Sequence, residues 1–377
     1  MKLLVIHPHL DVLGGSEELT RIMVQEMARR GIEVRIVTAR IDWERFSRWN
    51  SVDYVFVKRV FNGGKGPERF YELSEAIYRA IESFNPDAVL SMLQETAYIA
   101  AVKLFFPDMP CGIYIHFPIE EELSKENIEE FRQMYRFVAF SHRLYYLADV
   151  RMVNSLYTAR TLYRLFGLEA NVVYPAIDWI YIENQVEDLG RKEPTIISVG
   201  RFVPQKRFDL LIKVFRDEVK KLCPEAKLVI AGTPDPRYKS YFEKVRSLAE
   251  EVKDVEIRVR PSYRELLELY QMSKVYAHLR EGEHFGMAPL EGMAQGAIAV
   301  LSRVSGIAEV FEPGTELITY GSDDEIGKVL VYALRMDVDT ALKIYRRIRA
   351  KISFFTPSRF VSEVCGYLRA AIEARPR

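Results

Sequence analysis

The sequence has little of what would mark a secreted, membrane-spanning or nucleic-acid-binding chain. Among its 377 residues are only three cysteines, Cys111, Cys223 and Cys365, far apart and outside any CxxC or Cys/His cluster. That excludes a disulfide framework and a zinc site, and a reducing cytosol suits it. Net charge is zero, 53 basic residues against 53 acidic, whereas a generic nucleic-acid binder carries a basic excess to neutralise phosphates. No apolar run reaches the roughly 18 to 20 uncharged residues of a membrane span, and Lys2 leads into a short strand rather than a signal peptide. Asn and Gln are scarce, seven of each, which beside abundant charge fits a heat-loving source. Nowhere does the chain read G-x-G-x-x-G or G-x-x-x-x-G-K-[ST], so the standard dinucleotide fingerprint and the P-loop both fall away.

What remains is a globular composition, 49% hydrophobic and 28% charged, long enough for two domains. Residues 3–6 form a short apolar run of the kind that makes a buried parallel strand. A polar loop with Gly14 and Gly15 follows. Leu19, Ile22, Met23 and Met27 then recur at helical spacing, with Ser16 placed to cap the helix and Gly31 to end it. Residues 32–37 read as the next strand, which completes a βαβ unit and puts the glycine loop at the carboxyl end of a strand, where open α/β sheets hold ligands. Further strands are expected at 88–91 and 112–116.

The pattern restarts near residue 194. A strand at 195–199, a loop at 200–207 and an amphipathic helix marked by Leu210, Leu211, Val214 and Phe215 are followed by strands at 228–231, 255–259, 275–279 and 298–301. This predicts a second doubly wound sheet. Residues 174–191, with Pro175 and an acidic, aperiodic stretch, read as the linker.

The most informative segment runs Glu283-His284-Phe285-Gly286-Met287-Ala288-Pro289-Leu290-Glu291. It follows a strand and enters a helix through a glycine loop. Backbone N–H groups at such a helix start lack intrahelical partners and carry partial positive charge, which suits a phosphate. Glu283 lies before the helix and Glu291 inside it, so the two carboxylates reach different parts of one ligand, with sugar hydroxyls as natural partners; a cap and a solvated helix residue are the plain alternatives. Arg201 and Lys206 stand in the loop after the first strand of the second half, where a forked guanidinium and a compact ammonium suit a diphosphate. Surface salt-bridging is the alternative there. Carboxylates that would hold a metal between donor phosphates are not evident, so no metal or other cofactor is expected.

Taken together, Gly14-Gly15-Ser16, Arg201-x4-Lys206 and Glu283-x7-Glu291 with Phe285-Gly286 resemble the retaining glycosyltransferases of family 4, over nearly the whole chain. Tyr114-Ile115-His116-Phe117-Pro118 and Glu283-His284-Phe285-Gly286 are similar to mannosyltransferases that extend dolichol-linked oligosaccharides, and Asn154-Ser155 with Thr158 matches a segment late in the family's first domain. The loop Gly306-Ile307-Ala308-Glu309 departs from the pattern by lacking a second glycine.

The resemblance implies an α/β fold of the GT-B type, two Rossmann-like domains facing a cleft. The first, 1–180, would bind acceptor and the second, 190–355, nucleotide sugar, with a helix over 356–377 crossing back to the first. It further implies that Arg201, Lys206 and the backbone of Phe285, Gly286 and Met287 hold the donor diphosphate, that Glu291 accepts from the ribose, and that Glu283 sits at the sugar. Gly14 and Gly15 would let backbone approach the phosphate, and His116 would face the transferred sugar; a hydrogen-bonded strand-end histidine is its other reading. His284 is expected to be structural. The implied donor is a hexose on a nucleoside diphosphate, GDP-mannose in preference to UDP-sugars, and the implied acceptor is a glycan or lipid-linked glycan.

On the acceptor side, residues 61–67 form a glycine-rich basic loop. Residues 129–150 interleave aromatics with Arg132, Arg136 and Arg143, as an interfacial helix or a packed core helix would. Peripheral membrane contact at the cytoplasmic face would follow from the first of these. A nucleotide-sugar hydrolase or epimerase, and a non-catalytic nucleotide-sugar or glycan-binding protein, are the rival functions.

Overall fold

The computed structural model describes residues 1–11, 14–46, 51–57, 67–122, 142–184 and 186–374. The chain divides into two compact units, Met1–Ala176 with Pro357–Arg377, and Ile177–Thr356.

The first unit is a seven-stranded parallel sheet. Its strands, in chain order, are β1 Lys2–Ile6, β2 Glu33–Thr38, β3 Val52–Phe56, β4 Ala88–Ser91, β5 Cys111–Ile115, β6 Val150–Val153 and β7 Asn171–Val172, arranged β3-β2-β1-β4-β5-β6-β7. Leu3, Leu4, Val5 and Ile6 are all fully buried, the signature of a central parallel strand covered on both faces. The helix Gly15–Arg29 puts Leu19, Ile22, Met23 and Met27 into the interior. Gly31 in the left-handed region turns the chain back toward β2.

The start of that helix differs from expectation. Gly14, not Ser16, is the N-cap, and no side chain caps it. Extended backbone at Gly14 presents its carbonyl to the Glu18 N–H at 3.0 Å, while the Ser16 hydroxyl, already inside the first turn, turns to Glu17.

The second unit carries β8 Glu193–Val199, β9 Lys227–Gly232, β10 Val255–Val259, β11 Ser273–His278, β12 Ile298–Ser302 and β13 Ile318–Tyr320, in the order β10-β9-β8-β11-β12-β13. Each neighbouring pair is parallel. The helix after β8 begins at Phe208 and widens into a π turn over Phe215–Val219, so the Leu210 to Phe215 periodicity belongs to a helix that changes its winding midway.

Residues 174–191 are more ordered than a linker. They contain the helix Trp179–Glu183 and a turn at Leu189–Arg191. Tyr181 is buried against Tyr270, and Gln295 donates to the Tyr181 carbonyl, which ties the segment to the second unit. The boundary therefore falls between Ala176 and Ile177. Acidic composition hid a short helix whose anchor is a single tyrosine.

The last helix, Pro357–Glu373, belongs to the first unit. Phe360 meets the Tyr114 ring edge-on at 5.6 Å, and Arg30 donates to the Ser358 carbonyl and the Ser362 hydroxyl. Among the described residues, no helix is long and apolar enough to cross a membrane.

Candidate functional site

In the second unit, the loops after β8, β9, β11 and β12 all leave the sheet at its carboxyl edge. Backbone packing there is tight. Gly232 ends β9 so close to Gly200 that an added Cβ would lie 1.8 Å from the Gly200 carbonyl oxygen. The Lys206 stem passes over Gly200, where a Cβ would sit 3.1 Å from Lys206 Cε. Two glycines thus fix the path of the cationic loop.

Lys206 and Glu283, 77 residues apart in sequence, meet as an ion pair, Nζ to Oε2 at 2.9 Å, with side chains 18% and 14% exposed. His278, the last residue of β11, places Nε2 2.8 Å from the same Oε2. Burial lowers the Lys206 pKa; Glu283 opposes this, while Arg280 and Arg201 add to it. Burial would raise the Glu283 carboxyl, but Lys206, Arg280 and the His278 hydrogen bond outweigh it and hold the group well below the usual carboxylate range. His278 is pushed down to about 4 by burial and by the Lys206 charge. At neutral pH the cluster is an ammonium, a carboxylate and a neutral imidazole.

Glu283 is also fixed through its backbone. Its carbonyl accepts from the Gly306 N–H at 2.7 Å, and the residue bridges to Ser305. Gly306, in the loop that departs from the family pattern, therefore supports the carboxylate's backbone. Gly286, at φ +103, turns the chain into the helix Met287–Ala294, and the Leu290 N–H is the first to find an intrahelical acceptor, Gly286 O. Met287 and Ala288 thus begin a helix whose dipole points its positive end out of the sheet edge.

Arg201 reaches Asp235, NH1 to Oδ2 at 3.4 Å, and remains 37% exposed. Asp235 is buried and also takes Arg237 in a forked pair, which with other contacts from Arg237 keeps its carboxyl low despite burial. Glu291 is 7% exposed and accepts from the Tyr270 hydroxyl at 2.9 Å. Its alternative as a solvated helix residue is overturned: the helix turns this position inward toward Tyr270. His284 is buried at 4%. Around the same edge, Gln205 Oε1, Thr233 Oγ1 and Ser305 Oγ are buried without a hydrogen-bond partner among the described residues, the mark of a surface built for polar company.

The first unit's edge is different in kind. His116, just past β5, is half-buried and donates from Nε2 to the Met92 carbonyl at 3.1 Å. Asn154 holds the His116 carbonyl at 2.9 Å; its own Oδ1 accepts from Thr158, whose N–H is capped by Ser155. The Asn154-Ser155-Thr158 segment is thus a brace for His116. His7, past β1, is fully buried; its Nδ1 accepts from the His9 N–H, and its Nε2 has no partner among the described residues. Burial, then His116 and His9, push His7 well below its ordinary value. Gly14 and Gly15 open the long helix at this edge.

Sequence reasoning missed His278, which reads as one more residue of an apolar strand, and Asp235, Tyr270 and His7, whose partners lie far along the chain. Two of its expectations fall largely outside the described residues, the loop at 61–67 and residues 123–141 of the aromatic stretch. Where that stretch is described, Tyr145 is 3% exposed and donates to the Gln94 carbonyl, as a core residue does, while Tyr146 stands out at 65%. One Asp-x-Asp spacing does occur, Asp337-Val338-Asp339, and it caps a helix: Asp337 accepts from both the N–H and the hydroxyl of Thr340. Among the described residues, no group of three or more His, Cys, Asp or Glu side chains is arranged to hold a metal.

Two family models match the chain, Glycosyltransferase Family 4 over residues 13–179 and Glycosyl transferases group 1 over residues 182–351. It is 27% identical over 234 residues to the Mus musculus GDP-Man:Man(3)GlcNAc(2)-PP-Dol alpha-1,2-mannosyltransferase, covering 56% of this chain and 46% of that protein. To an alpha-1,3/1,6-mannosyltransferase of Saccharomyces cerevisiae it is 25% identical over 346 residues, 77% of this chain and 67% of the relative. The match to the mouse protein spans about half of that relative's length. Among solved structures, the Anabaena protein HepE in complex with UDP-glucose superposes with a TM-score of 0.76 at 15% identity, covering 98% of this chain and all of that one.

Proposed function

Because the chain belongs to glycosyltransferase family 4 and has the GT-B fold, we propose that it transfers a hexose, mannose first, from a nucleoside diphosphate to a glycan or lipid-linked glycan. The observation that carries this reading is the Lys206–Glu283–His278 cluster beside the open start of the Met287–Ala294 helix. A largely buried cation next to fixed helix amides suits a diphosphate, and an acceptor-only carboxylate beside it suits a sugar hydroxyl. The related mannosyltransferase of mouse is named for a GDP-mannose donor and a dolichol-linked acceptor, and the same classes are proposed here.

In this reading Arg201, Lys206 and the amides of Met287 and Ala288 bind the diphosphate. Breaking the sugar–phosphate bond leaves extra negative charge on the departing nucleotide, and these preorganised donors stabilise it where it develops, without a metal. Glu291 takes a ribose hydroxyl and Glu283 a sugar hydroxyl. The acceptor oxygen forms its bond to the anomeric carbon on the face the phosphate leaves, and the departing phosphate oxygen takes the acceptor proton, so configuration is retained. His116, Gly14 and Gly15 serve the first unit's share of the reaction, and work at the cytoplasmic membrane face follows if the acceptor is lipid-linked.

A thermal-shift screen of nucleotide sugars tests this reading. A ligand that binds only the folded state adds about 2.7 kcal/mol of stability at a hundredfold excess over its Kd, so GDP-mannose should raise the melting temperature by several degrees, more than UDP-glucose does. Absence of any shift across the panel would overturn it. Product analysis with a simple mannoside acceptor should give a retained anomer in the presence of EDTA; free mannose or an epimer instead would favour hydrolysis or epimerisation.

A further inference from the structure

His278 has no place in the motifs that point to the site, yet it contacts the Glu283 carboxylate at 2.8 Å. The imidazole is 3% exposed and ends the buried strand β11, so its position is set by the sheet. A carboxylate only accepts, so the 2.8 Å contact to Glu283 puts a proton on Nε2 of His278, and in the neutral ring that leaves Nδ1 bare. Lys206 donates to the same oxygen. Oε2 of Glu283 is thus occupied twice, while Oε1 has no partner among the described residues.

The two donors differ in what a diphosphate would do to them. Lys206 sits on a flexible four-carbon stem, and a bound phosphate competes for its charge. His278 is neutral, rigid and has nothing to offer a phosphate from its buried strand end. We infer that His278 is the positioning residue of Glu283: it keeps the carboxylate in place when Lys206 turns to the diphosphate, so that Oε1 remains the oxygen that receives the donor sugar's hydroxyl. This rests on the proposed donor site, and it adds a division of labour within that site, one donor that leaves and one that stays.

Calorimetric titration with GDP and with GDP-mannose on three proteins, wild type, His278→Leu and His278→Gln, separates the roles. Gln carries an amide nitrogen near the place of imidazole Nε2. A charge-assisted hydrogen bond is worth enough that losing its positioning should cost GDP-mannose about tenfold in affinity in His278→Leu, with GDP held within about threefold and His278→Gln recovering most of the loss. Equal weakening of both ligands, or of neither, overturns the inference. A second measurement needs no nucleotide: imidazole nitrogen NMR should show His278 as the neutral Nε2–H tautomer at pH 6, with a shift in that proton on Glu283→Gln. An Nδ1–H tautomer, or a His278 titrating near 6.5, overturns the inference whether or not nucleotides bind, whereas a wild type with this tautomer that binds neither GDP nor GDP-mannose overturns the donor reading alone.

Discussion

The carboxyl edges of the two sheets solve the same architectural problem with opposite chemistry. In the second unit the loops converge on charge: Lys206 on Glu283, Arg201 and Arg237 on Asp235. In the first unit the prominent groups are imidazoles held by backbone, His116 on the Met92 carbonyl and His7 on the His9 amide. A low-dielectric edge with paired ions can trade one partner for a ligand anion at small net cost, because the cation is already desolvated. In the first unit the described ion pair, Arg40 with Asp11 at 3.3 Å, is more open to solvent, and the imidazole nitrogens suit hydroxyl groups, which both donate and accept. On the proposed function, the buried ion pairs of the second unit take phosphate and the imidazoles of the first take uncharged polar groups.

Mutations that separate binding from turnover bear directly on that contrast. Lys206→Ala should have the largest effect, on the order of a hundredfold weaker GDP binding by calorimetry, since it leaves Glu283 without its counter-charge as well as removing the phosphate contact. Unchanged GDP affinity would break the contrast. His116→Ala should lower transfer by a similar factor, about a hundredfold in kcat, yet leave GDP affinity within about threefold; a matched loss of nucleotide binding would blur the two edges. Arg201→Ala should weaken GDP by about tenfold, less than Lys206→Ala, because Arg201 is more exposed and its partner Asp235 keeps Arg237.

The smallest effect is on stability against pH. His278 has a folded pKa near 4 against an unfolded value of 6.5, so the unfolded chain binds more protons between those values. Its contribution is complete above pH 6.5 and is lost as pH falls toward 4, and the depressed Glu283 carboxyl acts in the same direction. Melting temperature should therefore fall on acidification from pH 7 to 4, and His278→Gln should flatten the part between 6.5 and 4.

The strands were legible because buried parallel strands leave unbroken apolar runs, as residues 3–6 and 298–301 do. The loops of the candidate site were legible as loops because Gly, Arg, Lys and Glu stand just after those runs. Pairings were not. That Lys206 meets Glu283, or that Asn154 braces His116, depends on which strand neighbours which, information spread over 77 and 38 residues of separation. His278 was invisible for a related reason: inside Val275-Tyr276-Ala277-His278 it looks like a polar slip in a core strand. The misplaced cap at Ser16 shows the limit of local rules, since Gly14 adopts extended backbone without any side-chain bond to announce it.

The return of Pro357–Glu373 to the first unit has a consequence for how the chain is made. The Tyr114 ring and the Arg30 guanidinium wait for Phe360, Ser358 and Ser362, which leave the ribosome after everything else the first unit contains. Residues 177–356 can reach their final packing while the N-terminal sheet still has one flank bare, so the segment translated first is the last to be sealed. Expression of residues 1–176 alone should yield a protein that aggregates or is degraded, and adding residues 357–377 as a separate peptide should recover part of its solubility.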